Sequence, residues 1–188
     1  MVLTAGTDSF GGIVSYGLEP GIPNMYALHI LCDVLEERGV TDYPIHLKLD
    51  TGMHRLGFMS EELEELKKFL TGCNAVRVKS IYSHLAAADE PDSDDFTLGQ
   101  IELFRHNADS LTQSIGYKPM YHMLNSAGIE RFSQYQFDMV RLGIGIYGVS
   151  AIPGNHLSPV ASFKCKILQI KELKPGDGTI GYGRHGKI

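Results

Sequence analysis

The chain has 188 residues, of which 43% are hydrophobic and 21% charged, and its net charge is −5. This is the balance of a soluble globular domain with a core of its own. An acidic surface excludes a nucleic-acid groove, which wants a basic stripe, and no apolar run nears the length of a membrane span.

The cysteines, Cys32, Cys73 and Cys165, are odd in number and form no CxxC pair, so neither a disulfide framework nor a zinc ribbon is indicated. No histidine pair has metal spacing, so no metal site is expected. The start, "MVLTAGTDSF", lacks the basic opening and apolar centre of a secretory signal. The expected location is a reducing cytoplasm.

"MVLT" opens as a short apolar strand. Over residues 25 to 38, Leu28, Leu31, Val34 and Leu35 fall at helical spacing, and Gly39 follows as a stop. Next comes "IHLKLDTGMHRLGF", residues 45 to 58. On its strand, His46, Lys48 and Asp50 share one face while Leu47 and Leu49 share the other. "SEELEELKKFL" has Ser60 as the cap, acids in its first turn, and Leu63, Leu66 and Leu70 on one side. "VRVKSIYSHL" reads as a β-branched strand, and "ADEPDSDD" as a solvated loop. From Phe96 to Ile115 the residues Ile101, Phe104, Ala108, Leu111 and Ile115 step by three and four, as a helix requires. "MYHMLNSAG" and "FDMVRLGIGIYG" each read as a strand running into a turn.

Alternating strands and helices imply parallel strands with crossover helices. Polar clusters recur where strands end: Asp50-Thr51-Gly52, Ser83-His84, Asn125-Ser126 and Arg141-Leu142-Gly143. In a (β/α)8 barrel the chemistry sits on that rim; a doubly wound sheet also binds ligands at strand C-termini. Four separate polar strand ends favour the barrel.

After Pro153 the texture changes. "SPVASFKCKILQIKEL" alternates Ala161, Phe163, Cys165 and Ile167 without a helical run, and Lys174-Pro175-Gly176-Asp177-Gly178 gives turn signals. Residues 1–154 therefore read as part of a TIM-type barrel, and residues 155–188 as the start of an all-β domain. A full barrel needs roughly 250 residues. About five βα units are legible here, so the chain reads as the middle of something longer.

"HLKLDTGMHRLGF" resembles the signature of bacterial alanine racemases, which pair an (α/β)8 barrel with a C-terminal β domain. "LEP" at 18 to 20, "YSHLAAADE", "HMLNSAGIERF", "DMVRLGIGIYG" and "LKPGDGTIGYG" stand in that family's order over nearly the whole chain. The resemblance implies a pyridoxal-phosphate enzyme that interconverts L- and D-alanine with two bases, for peptidoglycan precursors, working as a homodimer.

The two bases are not found in the sequence. The family's cofactor-bearing lysine belongs to a Lys-Ala-Asx-Ala-Tyr-Gly-like motif, and its catalytic tyrosine to a Gly-Tyr-Ala-Asp-Gly motif; neither occurs here. Tyr182, in "IGYGRHG", has Gly183 and Arg184 after it and reads as structural. These 188 residues are thus expected to be inactive alone. A racemase for another amino acid such as serine would show the same motifs, and a non-catalytic pyridoxal-phosphate barrel protein is the remaining alternative.

The resemblance also implies roles. Arg141 donates to the pyridine nitrogen of the cofactor; a guanidinium does not surrender its proton, so the ring nitrogen stays unprotonated. Ser126, with Asn125 beside it, and the backbone N–H groups of Gly143 and Ile144 bind the phosphate. Asn125 and Ser126 also suit a helix cap. His84 faces the ring, kept neutral by the nearby cation. Arg55 binds the substrate carboxylate. Lys48 corresponds to a lysine that many members carbamylate, which would turn a cation repelling Arg55 into an anion accepting bidentate bonds from it. The alternative for Lys48 is an ion pair with Asp50.

Overall fold

The computed structural model describes residues 1–180 and 186–187, with the side chain of Lys187 left aside. Tyr182 lies outside the described residues.

Four parallel strands form the main sheet: β1 (Gly21–Ile22), β2 (Tyr43–Lys48), β3 (Val76–Tyr82) and β4 (Met120–His122). A short helix, α1 (Phe10–Ser15), precedes them, and α2 (Met25–Glu37), α3 (Leu63–Gly72) and α4 (Asp94–Ile115) are the crossovers. Single bridges extend both edges, Val2 to Pro20 beside β1 and His122 to Met139 beside β4. The strand order is 1-2-3-4 with no reversal. A doubly wound sheet must reverse at a switch point, so strictly sequential order makes this sheet an arc of a barrel.

The helices follow their patterns. Asn24 caps α2, its side chain accepting from Ala27 N at 2.8 Å, and Leu28, Leu31 and Leu35 are completely buried. In α4, Ile101, Phe104, Ala108 and Leu111 face the core, and the left-handed Gly116 ends the helix. Ser60 is not the cap of its helix. A 3-10 turn, Ser60–Glu62, leads into α3, and the Glu62 carboxylate accepts from Met59 N at 2.7 Å. The Ser60 hydroxyl instead accepts from Asn107 of α4 at 2.9 Å, a tertiary bond no local pattern reports.

The sheet has two unlike faces. Ile45 and Leu47 on β2 and Val78 and Ile81 on β3 belong to the core under the helices. His46, Lys48, Ser80, Tyr82 and His122 are linked across the other face: His46 and His122 bond to Ser80, and the Tyr82 ring stacks on His122 with centroids 5.1 Å apart. A register shift makes this possible. Ile45 pairs with Val78 but His46 pairs with Ser80, so Lys79 is bulged out. Without that extra residue, Ser80 would share a face with Val78.

"FDMVRLGIGIYG" forms only the Met139 bridge and a 3-10 turn, Ile144–Tyr147. Gly143 and Gly145 pack on Ser126, and Gly148 lies against Ser158 and Pro159, rather than pairing with a strand. Between 155 and 178 the described backbone contains no strand, and Phe163 and Leu168 are almost fully exposed. Alternation there meets no neighbouring strand to bond with. A small antiparallel pair, β5 (Thr179–Ile180) with β6 (Gly186–Lys187), closes the described chain.

Candidate functional site

The rim at the C-terminal ends of the strands encloses a cavity of about 660 Å³, inside the usual range for small-molecule sites. His84, Asn125, Ser126, Arg141, Gly143 and Ile144 all line it. These six come from three separate stretches of chain, each following its own strand or bridge.

Ser126 begins α5 (Ser126–Arg131) and is nearly buried. Its hydroxyl oxygen accepts from Gly143 N at 2.9 Å and Gly145 N at 3.0 Å. Asn125 is the helix cap, accepting from Gly128 N at 2.9 Å, so the capping reading of this pair holds. Glycine at 145 gives room for this approach: a Cβ there would stand 3.3 Å from Ser126 Oγ and 2.9 Å from Leu142 Cδ1, the movable end of an exposed side chain. Gly143 and Gly145 spend their N–H groups on the serine oxygen, which leaves the Ser126 O–H and the Ile144 N–H as donors on the cavity, with no carboxylate bonded to either among the described residues. That donor set suits a phosphate ester.

Arg141 spans the rim. One terminal nitrogen donates to His122 O at 3.1 Å and bonds His122 Nδ1; the other donates to Ser83 O and to Met123 O at 3.1 Å, with His84 Nδ1 at 3.3 Å. No carboxylate pairs with this cation among the described residues. Burial pushes its pKa down only to about 10, so it stays charged. Its Nε–H has no acceptor among the described residues. An unpaired cation with an unused donor on a half-apolar cavity suits a ring nitrogen.

The histidines are kept neutral. Burial first, then Arg141, Arg55 and Lys48, push His84 down to about 4. Burial and Arg141 push His122 to about 3. His122, Ser80, Tyr82 and Gly145 were not singled out from the sequence. The only signal for Gly145 is the second glycine of "LGIG"; for His122 it is a polar residue in a three-residue strand.

Lys48 is buried with its Nζ 6.0 Å from the Tyr82 ring centroid. It does not pair with Asp50. The Asp50 carboxylate turns into its own loop, accepting from Gly52 N and His54 N at 3.0 Å each. Two backbone donors within reach satisfy it better than a buried ammonium would. Burial, Arg55 and Arg141 lower the Lys48 pKa. Arg55 is exposed on the loop after β2 and does not line the cavity, but its charge acts on both Lys48 and His84.

Residues 2–151 match the model of the alanine racemase N-terminal domain. The chain belongs to the alanine racemase family. The alanine racemase of Syntrophobacter fumaroxidans is 41% identical over 74% of this chain and 37% of its own length. That of Synechocystis sp. is 35% identical over 94% of this chain and 48% of its own length. Among solved structures, the Bacillus anthracis alanine racemase with bound L-Ala-P superimposes with a TM-score of 0.77 at 26% identity, covering 98% of this chain and 49% of that one. The chain thus spans half or less of the length of these relatives. The alanine racemase family fold is a TIM-type barrel, in agreement with the sequential parallel sheet. No helix among the described residues is long and apolar enough to cross a membrane.

Proposed function

We propose that this chain is the cofactor-holding part of a pyridoxal-phosphate-dependent alanine racemase. The observation that carries the reading is the meeting of Arg141, His84, Asn125, Ser126, Gly143 and Ile144 on one cavity. The bound cofactor supplies an electron sink for the α-carbon of the amino acid. Every other contribution comes from the chain.

Ser126 and the amide of Ile144 would hold the phosphate, with Gly143 and Gly145 bonded to the serine oxygen behind it. Arg141 would offer its unused N–H to the pyridine nitrogen, and because a guanidinium keeps its proton it would leave that nitrogen uncharged. His84, neutral because it is buried beside Arg141, adds no second charge. Arg55 binds the substrate carboxylate and orients it. Lys48, with its lowered pKa, would take up carbon dioxide at its neutral amine, forming one N–C bond and releasing one proton to solvent; the carbamate would accept from Arg55 and remove the repulsion between two cations. The lysine and tyrosine that would move the proton belong to the two motifs that do not occur in this sequence, so the expected result for residues 1–188 alone is no racemisation of alanine. The parent enzyme acts as a cytoplasmic homodimer supplying D-alanine for peptidoglycan, and residues 155–188 begin its β domain.

The test is titration with pyridoxal phosphate and, separately, pyridoxal. Tighter binding of the phosphate ester, lost in Arg141→Ala and in Ser126→Ala, is the expected result. Equal affinity for both, or no effect of either substitution, refutes the reading.

A further inference from the structure

A line of hydrogen bonds leaves the cavity at Arg141 and runs across the sheet to the outside. Arg141 meets His122 Nδ1. His122 Nε2 lies 2.9 Å from Ser80 Oγ, and Ser80 Oγ lies 2.6 Å from His46 Nδ1. His46 Nε2 lies 2.9 Å from a carboxylate oxygen of Glu19, whose other oxygen is 2.5 Å from Lys79 Nζ. His122 and Ser80 are completely buried and His46 is 3% exposed. The line draws one residue from each of β4, β3 and β2, and its last member precedes β1.

Its ends fix its direction. A guanidinium only donates and an ionised carboxylate only accepts. Arg141 therefore requires a lone pair on His122 Nδ1, which places the His122 proton on Nε2, facing Ser80. The Ser80 hydroxyl, accepting there, gives its own hydrogen to His46 Nδ1. That leaves the His46 proton on Nε2, donated to Glu19. Every link donates away from the cavity, and both ends demand the same order. The bonding of Lys79 lowers the Glu19 pKa, which keeps the accepting end ionised. The bulge at Lys79 contributes twice. It turns Ser80 to the inner face, and it releases the Lys79 side chain toward Glu19.

We propose that Glu19, His46 and Ser80 are positioning residues for Arg141: their one-way relay holds His122 in the Nε2–H form, and that lone pair aims the guanidinium into the cofactor cavity. The role assigned to Arg141 rests on the proposed function; the direction of the relay does not. Aligned bonds polarise one another, so the carboxylate of Glu19 strengthens the acceptor that Arg141 meets on the far side of the sheet.

The experiment reads the histidine tautomers by long-range ¹H–¹⁵N NMR at neutral pH and the affinity for pyridoxal phosphate on the same samples. The unsubstituted chain should carry the proton on Nε2 at both His122 and His46. In Ser80→Ala each histidine keeps its anchored end, His122 at Arg141 and His46 at Glu19, so both should remain Nε2–H. The ¹⁵N resonances of His122 Nε2 and His46 Nδ1 should shift, and pyridoxal phosphate binding should weaken about tenfold, the lower end of what loss of an outer supporting bond costs a site. Ser80→Thr, which restores a hydroxyl, should recover both. Glu19→Gln, at the solvent-facing end and able to accept through its amide oxygen, should keep the His122 tautomer while shifting the ¹⁵N resonances of His46 and, less, of His122. A Nδ1–H form of His122 in the unsubstituted chain, or Ser80→Ala leaving the ¹⁵N resonances and the affinity unchanged, overturns the relay. Absence of pyridoxal phosphate binding in the unsubstituted chain, with the tautomers as stated, overturns the cofactor reading instead, so the two failures are distinct.

Discussion

Ser126→Ala tests the proposed phosphate cradle. The serine is 5% exposed, and its oxygen is the shared acceptor for two backbone amides. Removing it without ligand leaves both N–H groups without that acceptor; at about 1 kcal/mol for each bond, the chain should lose roughly 2 kcal/mol of stability. The cavity mouth admits water to the amides, which keeps the loss from growing larger. With ligand, the hydroxyl would donate to a charged oxygen, a bond worth about 1.5–3 kcal/mol. At about 1.4 kcal/mol per tenfold, the Kd for pyridoxal phosphate should rise roughly 10- to 100-fold. The assay is a spectroscopic titration of both forms with pyridoxal phosphate and with pyridoxal. Affinity for pyridoxal should change little, because it carries no phosphate. An equal weakening for both ligands would mean that the substitution had collapsed the site generally, and the cradle argument would be refuted.

Gly57 sits at φ 130°, and a Cβ there would come within 2.6 Å of Asp50 N and Leu49 C. Gly57→Ala should therefore destabilise the chain by about 3 kcal/mol, seen as a lower urea midpoint; an unchanged midpoint would contradict the Leu49–Phe58 pairing. Phe104 is completely buried and packs edge-on against Tyr121 and Phe137, so Phe104→Ala should cost about 3–5 kcal/mol by the same measure. His84 and His122 titrate in the folded chain near 4 and 3, below the ordinary 6.5. As pH falls through 6.5 the unfolded chain therefore takes up protons first, and stability should decline steadily from pH 7 to pH 4; the decline should be shallower in His84→Gln. Intact mass of the chain with bicarbonate should show the addition of one carbon dioxide, lost in Lys48→Met, whereas persistence of the addition in that variant would place it elsewhere.

The sequence by itself determined the order of elements, because each depends on local periodicity. The stripe of Ile101, Phe104, Ala108 and Leu111 needs only the 3.6-residue turn to become the buried side of α4. The apolar members of β2 needed only alternation, whereas Val78 and Ile81 of β3 stand three apart and share the core face because of the bulge. The residues of the proposed phosphate cradle were named through the family resemblance, since two glycines and a serine at strand ends also suit turns and a helix cap. Other features required the folded chain. Whether Asp50 pairs with Lys48 was settled by two amides that its loop brings within 3.0 Å. Ser60 turned to Asn107 because α4 lies beside it. The place of Ser80 depends on a bulge whose register is a relation between two strands, and no property of either strand alone predicts it. The relay from Arg141 to Glu19 is of the same kind. Its members stand far apart along the chain, and hydrogen bonds of 2.6–2.9 Å join three of its links only once parallel strands have placed them side by side on one face.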